Sequence, residues 1–207
     1  MVLKLLMSDI KLNNVVERST KIICIGANYY SYIESNHLPK PIRPILFFKP
    51  KSSIIFNNEK IIKPSRSKQV EFESELGVVI GEKCKDVNVA DATKVILGFT
   101  CINDVTARDL QKDNSQWAES KAFDTFCPIG PVVVSKINLL DCEISCSVNG
   151  EIKQKDNINN MIFPVPDLIA FLSSIMTLFP GDIISTGTPS GSAKLNLGDV
   201  VEVKIAD

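Results

Sequence analysis

Between Val70 and Gly81 the chain reads Val-Glu-Phe-Glu-Ser-Glu-Leu-Gly-Val-Val-Ile-Gly, with carboxylates on alternate positions running straight into an apolar segment. The β-branched run Leu76 to Ile80 predicts a strand entering the core. Side chains two apart on a strand share a face, so Glu71, Glu73 and Glu75 are expected side by side. Carboxylates so placed repel one another and resist leaving water. Either that face is open to solvent, or a cation neutralises it.

A second apolar strand, Val95 to Ile102, ends in Asn-Asp-Val-Thr-Ala-Arg-Asp (103–109), where Asp104 adds a third carboxylate to Glu73 and Glu75. A trio of carboxylates favours a hard, oxygen-loving ion such as Mg²⁺ or Mn²⁺. It also leaves coordination positions open for water or substrate. The chain holds a single histidine, His37, which excludes a multi-histidine zinc site.

The remaining pattern is strand-rich. Lys21 to Gly26, Ile45 to Lys49, Pro131 to Ser135, Ile183 to Thr186 and Val200 to Ile205 read as further strands. Asn149-Gly150 between Glu143–Val148 and Glu151–Lys155 predicts a hairpin, because this dipeptide supplies the positive φ angles of a tight turn. Pro166-Asp167 opens and Pro180-Gly181 closes an expected helix with Leu168, Leu172, Ile175 and Phe179 as its core stripe. Short helices are expected near Thr106 and Tyr29. A length of 207 residues suits one domain with a sizeable core, residues 21–207 after a lead-in at 1–20.

A net charge of −1 gives no electrostatic reason to expect nucleic acid or an anionic membrane as partner. No apolar run approaches the roughly 20 residues of a spanning helix. The early acidic residues Asp9 and Glu17, without an apolar stretch between flanking signals, do not read as a secretion leader. The six cysteines form no C-x-x-C pair and sit mostly in apolar contexts, so they are expected to be reduced and buried, as in a cytoplasmic protein.

Glu-Ser-Glu-Leu-Gly-Val-Val-Ile-Gly (73–81), Asn-Asp-Val-Thr-Ala-Arg-Asp (103–109), the Ser120 to Pro131 stretch and Ser-Thr-Gly-Thr-Pro-Ser-Gly (185–191) follow the order and spacing of the fumarylacetoacetate hydrolase family. Gly26 to Glu34 and Phe-Phe-Lys-Pro (47–50) resemble that family's opening strand, lid and next strand, so the resemblance spans roughly Ile22 to Val203. It implies an α+β, strand-rich fold, a mixed β-roll or β-sandwich with a few short helices, usually dimeric. It implies metal ligation by Glu73, Glu75 and Asp104, with Mg²⁺ or Mn²⁺ as cofactor. Arg108 and Gln111 are implied to face the substrate, Lys121 to stand beside the metal ligands, and Thr188 with the Gly187 amide to hold substrate oxygens. The alternative readings are a surface pair of Arg108 with Asp109 or Asp113, and a surface Lys121. Lys49, flanked by apolar residues, reads as a structural support.

Two departures bear on the reaction. Hydrolytic members resembled here commonly carry His-x-x-Glu on the lid, base plus orienting carboxylate for the attacking water. This chain has Tyr32 and Ser35 at those places, and a phenol with a pKa near 10 is a poor base at neutral pH. Tyr32 is therefore counted with the substrate contacts. Glu34 and His37, also three apart, form the same pair in reverse if the lid helix reaches His37. The chain also stops after Val-Glu-Val-Lys-Ile-Ala-Asp, where members usually continue, which is expected to alter a sheet edge or the dimer contact. The resemblance implies an enzyme acting on 2-oxo (1,3-dicarbonyl) acids through an enolate, with isomerase, tautomerase or decarboxylase chemistry ahead of acylpyruvate-type hydrolysis. The other possibility is a member that binds a keto acid without turnover.

Overall fold

Central strands whose alternate side chains enter two different cores build a sheet that is covered on both sides. The computed structural model describes residues 10–113 and 115–206, so Asp9 and the rest of residues 1–9 lie outside the described residues. The strands are β1 (Ile10–Lys11), β2 (Ile22–Gly26), β3 (Ile45–Lys49), β4 (Ile54–Ile55), β5 (Val70–Glu71), β6 (Ser74–Ile80), β7 (Ile96–Asn103), β8 (Thr106–Ala107), β9 (Cys127–Val134), β10 (Glu143–Val148), β11 (Glu151–Asn157), β12 (Ile183–Ser185) and β13 (Val201–Ala206). The helices are α1 (Leu12–Arg18), α2 (Tyr30–Ser35), α3 (Arg108–Asp113), α4 (Ala118–Lys121) and α5 (Val165–Ile175).

The large sheet runs β1-β9-β7-β6-β12-β2-β3, with β4 added beside β9. Its neighbours are antiparallel except β2 with β12 and β4 with β9. On β2, Ile23 and Ile25 join one apolar cluster while Ile22 and Cys24 join another on the opposite face. On β6, Leu76, Val78 and Ile80 face the first and Val79 the second. Burial on both faces explains why this strand reads as an unbroken apolar run. The three-stranded sheet β11-β10-β13 and helix α5 cover one face; α1 covers part of the other through Leu12, Val15 and Val16. The fold is thus α+β and strand-rich, a curled sheet with few helices. Among the described residues no helix is long and apolar enough to cross a membrane.

Two expectations need correction. Glu71, Glu73 and Glu75 do not share one strand face, because the strand breaks at Phe72 and Glu73. Phe72 turns into the core, and Glu71 belongs to β5, paired across β8 with Thr106. Helix α5 ends at Ile175, short of Pro180-Gly181, since Met176 is already extended at ψ 154°. Its buried stripe is Val165, Leu168, Ile169 and Leu172, while Ile175 and Phe179 are exposed. The six cysteines are free and, apart from the half-exposed Cys84, buried.

Candidate metal and active site

The register of two neighbouring strands brings the carboxylates together. β6 and β7 pair Ser74 with Asn103 and Glu75 with Ile102, so Glu73 and Asp104 flank the same end of the ladder. The Asn103 Oδ1 atom accepts from the Glu73 amide at 3.0 Å, and the Asp104 amide donates to the Glu73 carbonyl at 2.8 Å. Glu73, Glu75 and Asp104 are all buried and offer oxygens within 4.8 Å of one another.

Cations surround this cluster. Lys121 Nζ donates to Glu73 Oε2 at 2.6 Å and to Asp104 Oδ2 at 2.7 Å. Arg108 donates to Glu71 Oε2 at 2.7 Å, to Glu73 Oε1 and to Gln111 Oε1. Buried Lys49 donates to the carbonyls of Val105 (3.0 Å) and Lys121 (2.5 Å), so it ties two backbone segments together beside the cluster. Its Nζ also lies 2.8 Å from Asp104 Oδ1, but that oxygen receives no directed hydrogen bond, so the contact is ionic only. Four carboxylates, Glu71, Glu73, Glu75 and Asp104, thus face three cationic side chains.

The surplus negative charge falls on Glu75. Burial, then the neighbouring Asp104 and Glu73, push its carboxyl up to about 8, although Ser185 Oγ (2.6 Å) and the Gly187 amide (2.8 Å) donate to Oε2. Glu73 moves the other way: burial alone would raise it, but Lys121 and Arg108 hold it down at about 2. Burial works against the Lys121 ammonium, yet Asp104 and Glu73 raise it above the usual lysine range.

A small cavity of about 20 Å³ reaches these carboxylates, enough for a water molecule. Glu73, Glu75, Asp104, Gln111, Lys121, Thr188 and Tyr32 line it, with Phe47, Trp117 and the Ile25–Ala27 turn. Arg108 is not part of that lining. Its guanidinium is drawn behind Glu73 by two carboxylates, and Asp109 bonds instead to Ser67 and the Lys68 amide; the Asp113 side chain is outside the described residues. The Gly187 amide, expected on the substrate, is occupied by Glu75. Burial and then Glu73 raise the Tyr32 hydroxyl above its ordinary range.

The lid pair is not arranged as expected. Helix α2 stops at Ser35, and His37 sits beyond its cap with φ 53°. The Leu38 amide closes on the Ile33 carbonyl (2.8 Å) and the His37 amide on that of Glu34 (3.2 Å), a turn that ends the helix with a left-handed residue. Glu34 and His37 are both exposed, neither lines the cavity, and Ser35 donates to the Tyr32 carbonyl at 3.1 Å.

Two contributors escape a reading of sequence motifs. Trp117, the chain's one tryptophan, packs edge-on against Phe47 at 5.3 Å between ring centres. A side chain at Gly26 would collide with its ring. Buried Gln154 of β11 reaches both Ser74 and the loop at Thr188. A lone glutamine in a charged strand carries no signal beyond its place in the hairpin.

The residues fit a divalent cation: three convergent carboxylates, an Asp104 oxygen without a directed hydrogen bond, and a Glu75 that must otherwise keep a proton.

Residues 21–207 match the family described as fumarylacetoacetate (FAA) hydrolase C-terminal. A mitochondrial oxaloacetate tautomerase of Rattus norvegicus is 44% identical over 203 residues, covering 93% of this chain and 65% of that protein. The chain therefore spans just under two thirds of that relative. The crystal structure of 2-hydroxyhepta-2,4-diene-1,7-dioate isomerase from Mycobacterium marinum superposes with a TM-score of 0.84 at 41% identity, covering 91% of this chain and 71% of that one. Fumarylpyruvate hydrolase from Pseudomonas aeruginosa, solved with Mn²⁺ and pyruvate, gives 0.84 at 28% identity over 90% of this chain and 85% of that one. Proteins named for three reaction types thus resemble this chain in sequence, two of them in solved structure as well, and with residues 21 onward matched as a whole the chain belongs to the fumarylacetoacetate hydrolase family.

Proposed function

We propose that the chain is a divalent-metal-dependent enzyme that interconverts keto and enol forms of a small 2-oxo acid, or isomerises an oxo-diacid by the same proton shift. The make-up of the cavity wall carries this reading: Lys121 and Tyr32 lie beside three carboxylates, and no histidine is among the lining residues. Hydrolysis requires a base to activate water. The Tyr32 hydroxyl, with its pKa raised, keeps its proton and is a donor. The likeness to a tautomerase and an isomerase supports the same choice.

Held by Glu73, Glu75 and Asp104, Mg²⁺ or Mn²⁺ would supply Lewis acidity toward charge developing on a keto oxygen. Lys121, held as an ammonium by Asp104 and Glu73, is a fixed positive charge beside the enolate oxygen, and a water in the cavity carries the proton from the enol oxygen to the carbon. Tyr32 and Gln111 orient the substrate, Thr188 meets its carboxylate, and Arg108 holds Glu73 from behind. Phe47 and Trp117 exclude bulk water from the reacting atoms. Residues 21–207 form the catalytic unit after the lead-in at 1–20, and the family resemblance supports a homodimer.

Decarboxylation of oxaloacetate draws on the same charge stabilisation. Hydrolysis of an acylpyruvate is the second reading, favoured by the likeness to fumarylpyruvate hydrolase. The test is a panel of oxaloacetate and acetylpyruvate, followed by enol absorbance, CO₂ release and cleavage, with Mg²⁺, Mn²⁺ or chelator. Metal-dependent tautomerisation faster than cleavage is expected. Faster acetylpyruvate cleavage that disappears in His37→Ala would replace this reading with hydrolysis assisted by the Glu34/His37 pair.

A further inference from the structure

Gln154 is nearly fully buried, and both ends of its amide are fixed by partners of one polarity. Its Oε1 accepts from the Ser74 amide at 2.9 Å, a group that can only donate. Its Nε2 donates to the Pro189 carbonyl at 2.8 Å, a group that can only accept. The amide therefore cannot be turned around, and the same Nε2 must also be the donor to Thr188 Oγ1 at 2.9 Å. A threonine hydroxyl has one hydrogen to give. With Gln154 occupying it as an acceptor, and no acceptor for its hydrogen found among the described residues, that hydrogen is free for the cavity that Thr188 lines.

The chain spends several features on this placement. Between Cys146 and Ser147 the β10–β11 register slips, Cys146 pairing with Gln154 but Ser147 with Ile152, so Lys153 is a bulge. Glu151, Ile152 and Lys153 are all exposed, and the bulge returns Gln154 to the core face opposite buried Cys146. Gly191, at φ 100°, closes the Thr186–Gly191 loop against the Lys153 carbonyl so tightly that a Cβ would collide with it. Hairpin, metal-bearing strand and loop thus meet at one amide.

We infer that Gln154 is a positioning residue that fixes the polarity of Thr188, presenting its hydroxyl to the cavity as a donor for an anionic substrate oxygen. The inference rests on the proposed reading of the cavity as a 2-oxo acid site.

The experiment is isothermal titration of the Mn²⁺-loaded protein with pyruvate, on the native chain, Gln154→Met, Thr188→Val and the double variant. Gln154→Met should weaken pyruvate binding about tenfold or more, the scale of a hydrogen bond to a charged group, with Mn²⁺ affinity unchanged. In the Thr188→Val background the same change should cost little, because the hydroxyl it orients is gone. Equal loss in both backgrounds means Gln154 acts through Ser74 and overturns the inference, as does native-like binding by Gln154→Met. Should Gln154→Met fail to fold, Gln154→Glu keeps an acceptor for Ser74 and enters the same cycle. Its loss must then be smaller in the Thr188→Val background than with Thr188 in place. A native protein that does not bind pyruvate overturns the proposed function itself, and this inference with it.

Discussion

Glu75 is the residue on which the proposed metal would compete with a proton. Its folded carboxyl titrates at about 8, above its ordinary value of 4.5, so the ion-free fold holds this proton more tightly than the unfolded chain does. The stabilisation is complete below the ordinary carboxylate range and is lost as pH rises through 8. Glu73, held at about 2, contributes stability above the ordinary range that is lost as pH falls toward 2. Chelator-treated protein should therefore melt lower at pH 9 than at pH 6, and the gain on adding Mg²⁺ should be larger at pH 9. A metal-induced shift independent of pH would mean that Glu75 gives up no proton to the ion. Asp104→Ala should abolish both that shift and turnover. Lys121→Met should lower turnover by about 10² or more while metal affinity holds or rises, since an ammonium no longer contests the Glu73 and Asp104 oxygens; calorimetry against initial rates separates the two. The acidic trio was legible because carboxylates entering an apolar strand have few chemical explanations. Gln154 and Trp117 were not, because their roles depend on partners far away in sequence.

At the level of elements, runs of β-branched residues marked most strands to within a residue or two. Ile45–Lys49 and the hairpin around Asn149-Gly150 sit where the pattern put them. The start of β9 was hidden because Pro128 and Gly130 look like strand breakers, although the strand begins at Cys127. Periodicity overran the end of α5 because Ile175 and Phe179 continue its stripe in sequence but not in space. The distinction can be measured. Leu172→Ala should cost roughly 2–5 kcal/mol in urea unfolding, as for other fully buried leucines. Ile175→Ala, at a half-exposed position, should stay within about 0.5 kcal/mol. Similar losses at both sites would show that the stripe does continue against the core.

At the scale of the molecule, the site is assembled from segments that meet at very different chain distances. The clustered carboxylates come from the adjoining ends of β6 and β7, whereas the Asn28 amide reaches the Thr186 carbonyl across 158 positions and β12 pairs with β2 over a similar span. Closing a long loop costs entropy before its contacts repay it, and parallel pairing of distant strands is slow. The two halves of the site therefore mature at different times. During refolding, the acidic pocket can gather as soon as the β6–β7 ladder zips. The Thr188 side arrives only when β12 docks, and Glu75 gains its Ser185 and Gly187 donors in that same late event. In a stopped-flow experiment, Mn²⁺ capture should precede competence to bind pyruvate, leaving a brief interval in which the chain is a metal chelator but not yet a receptor.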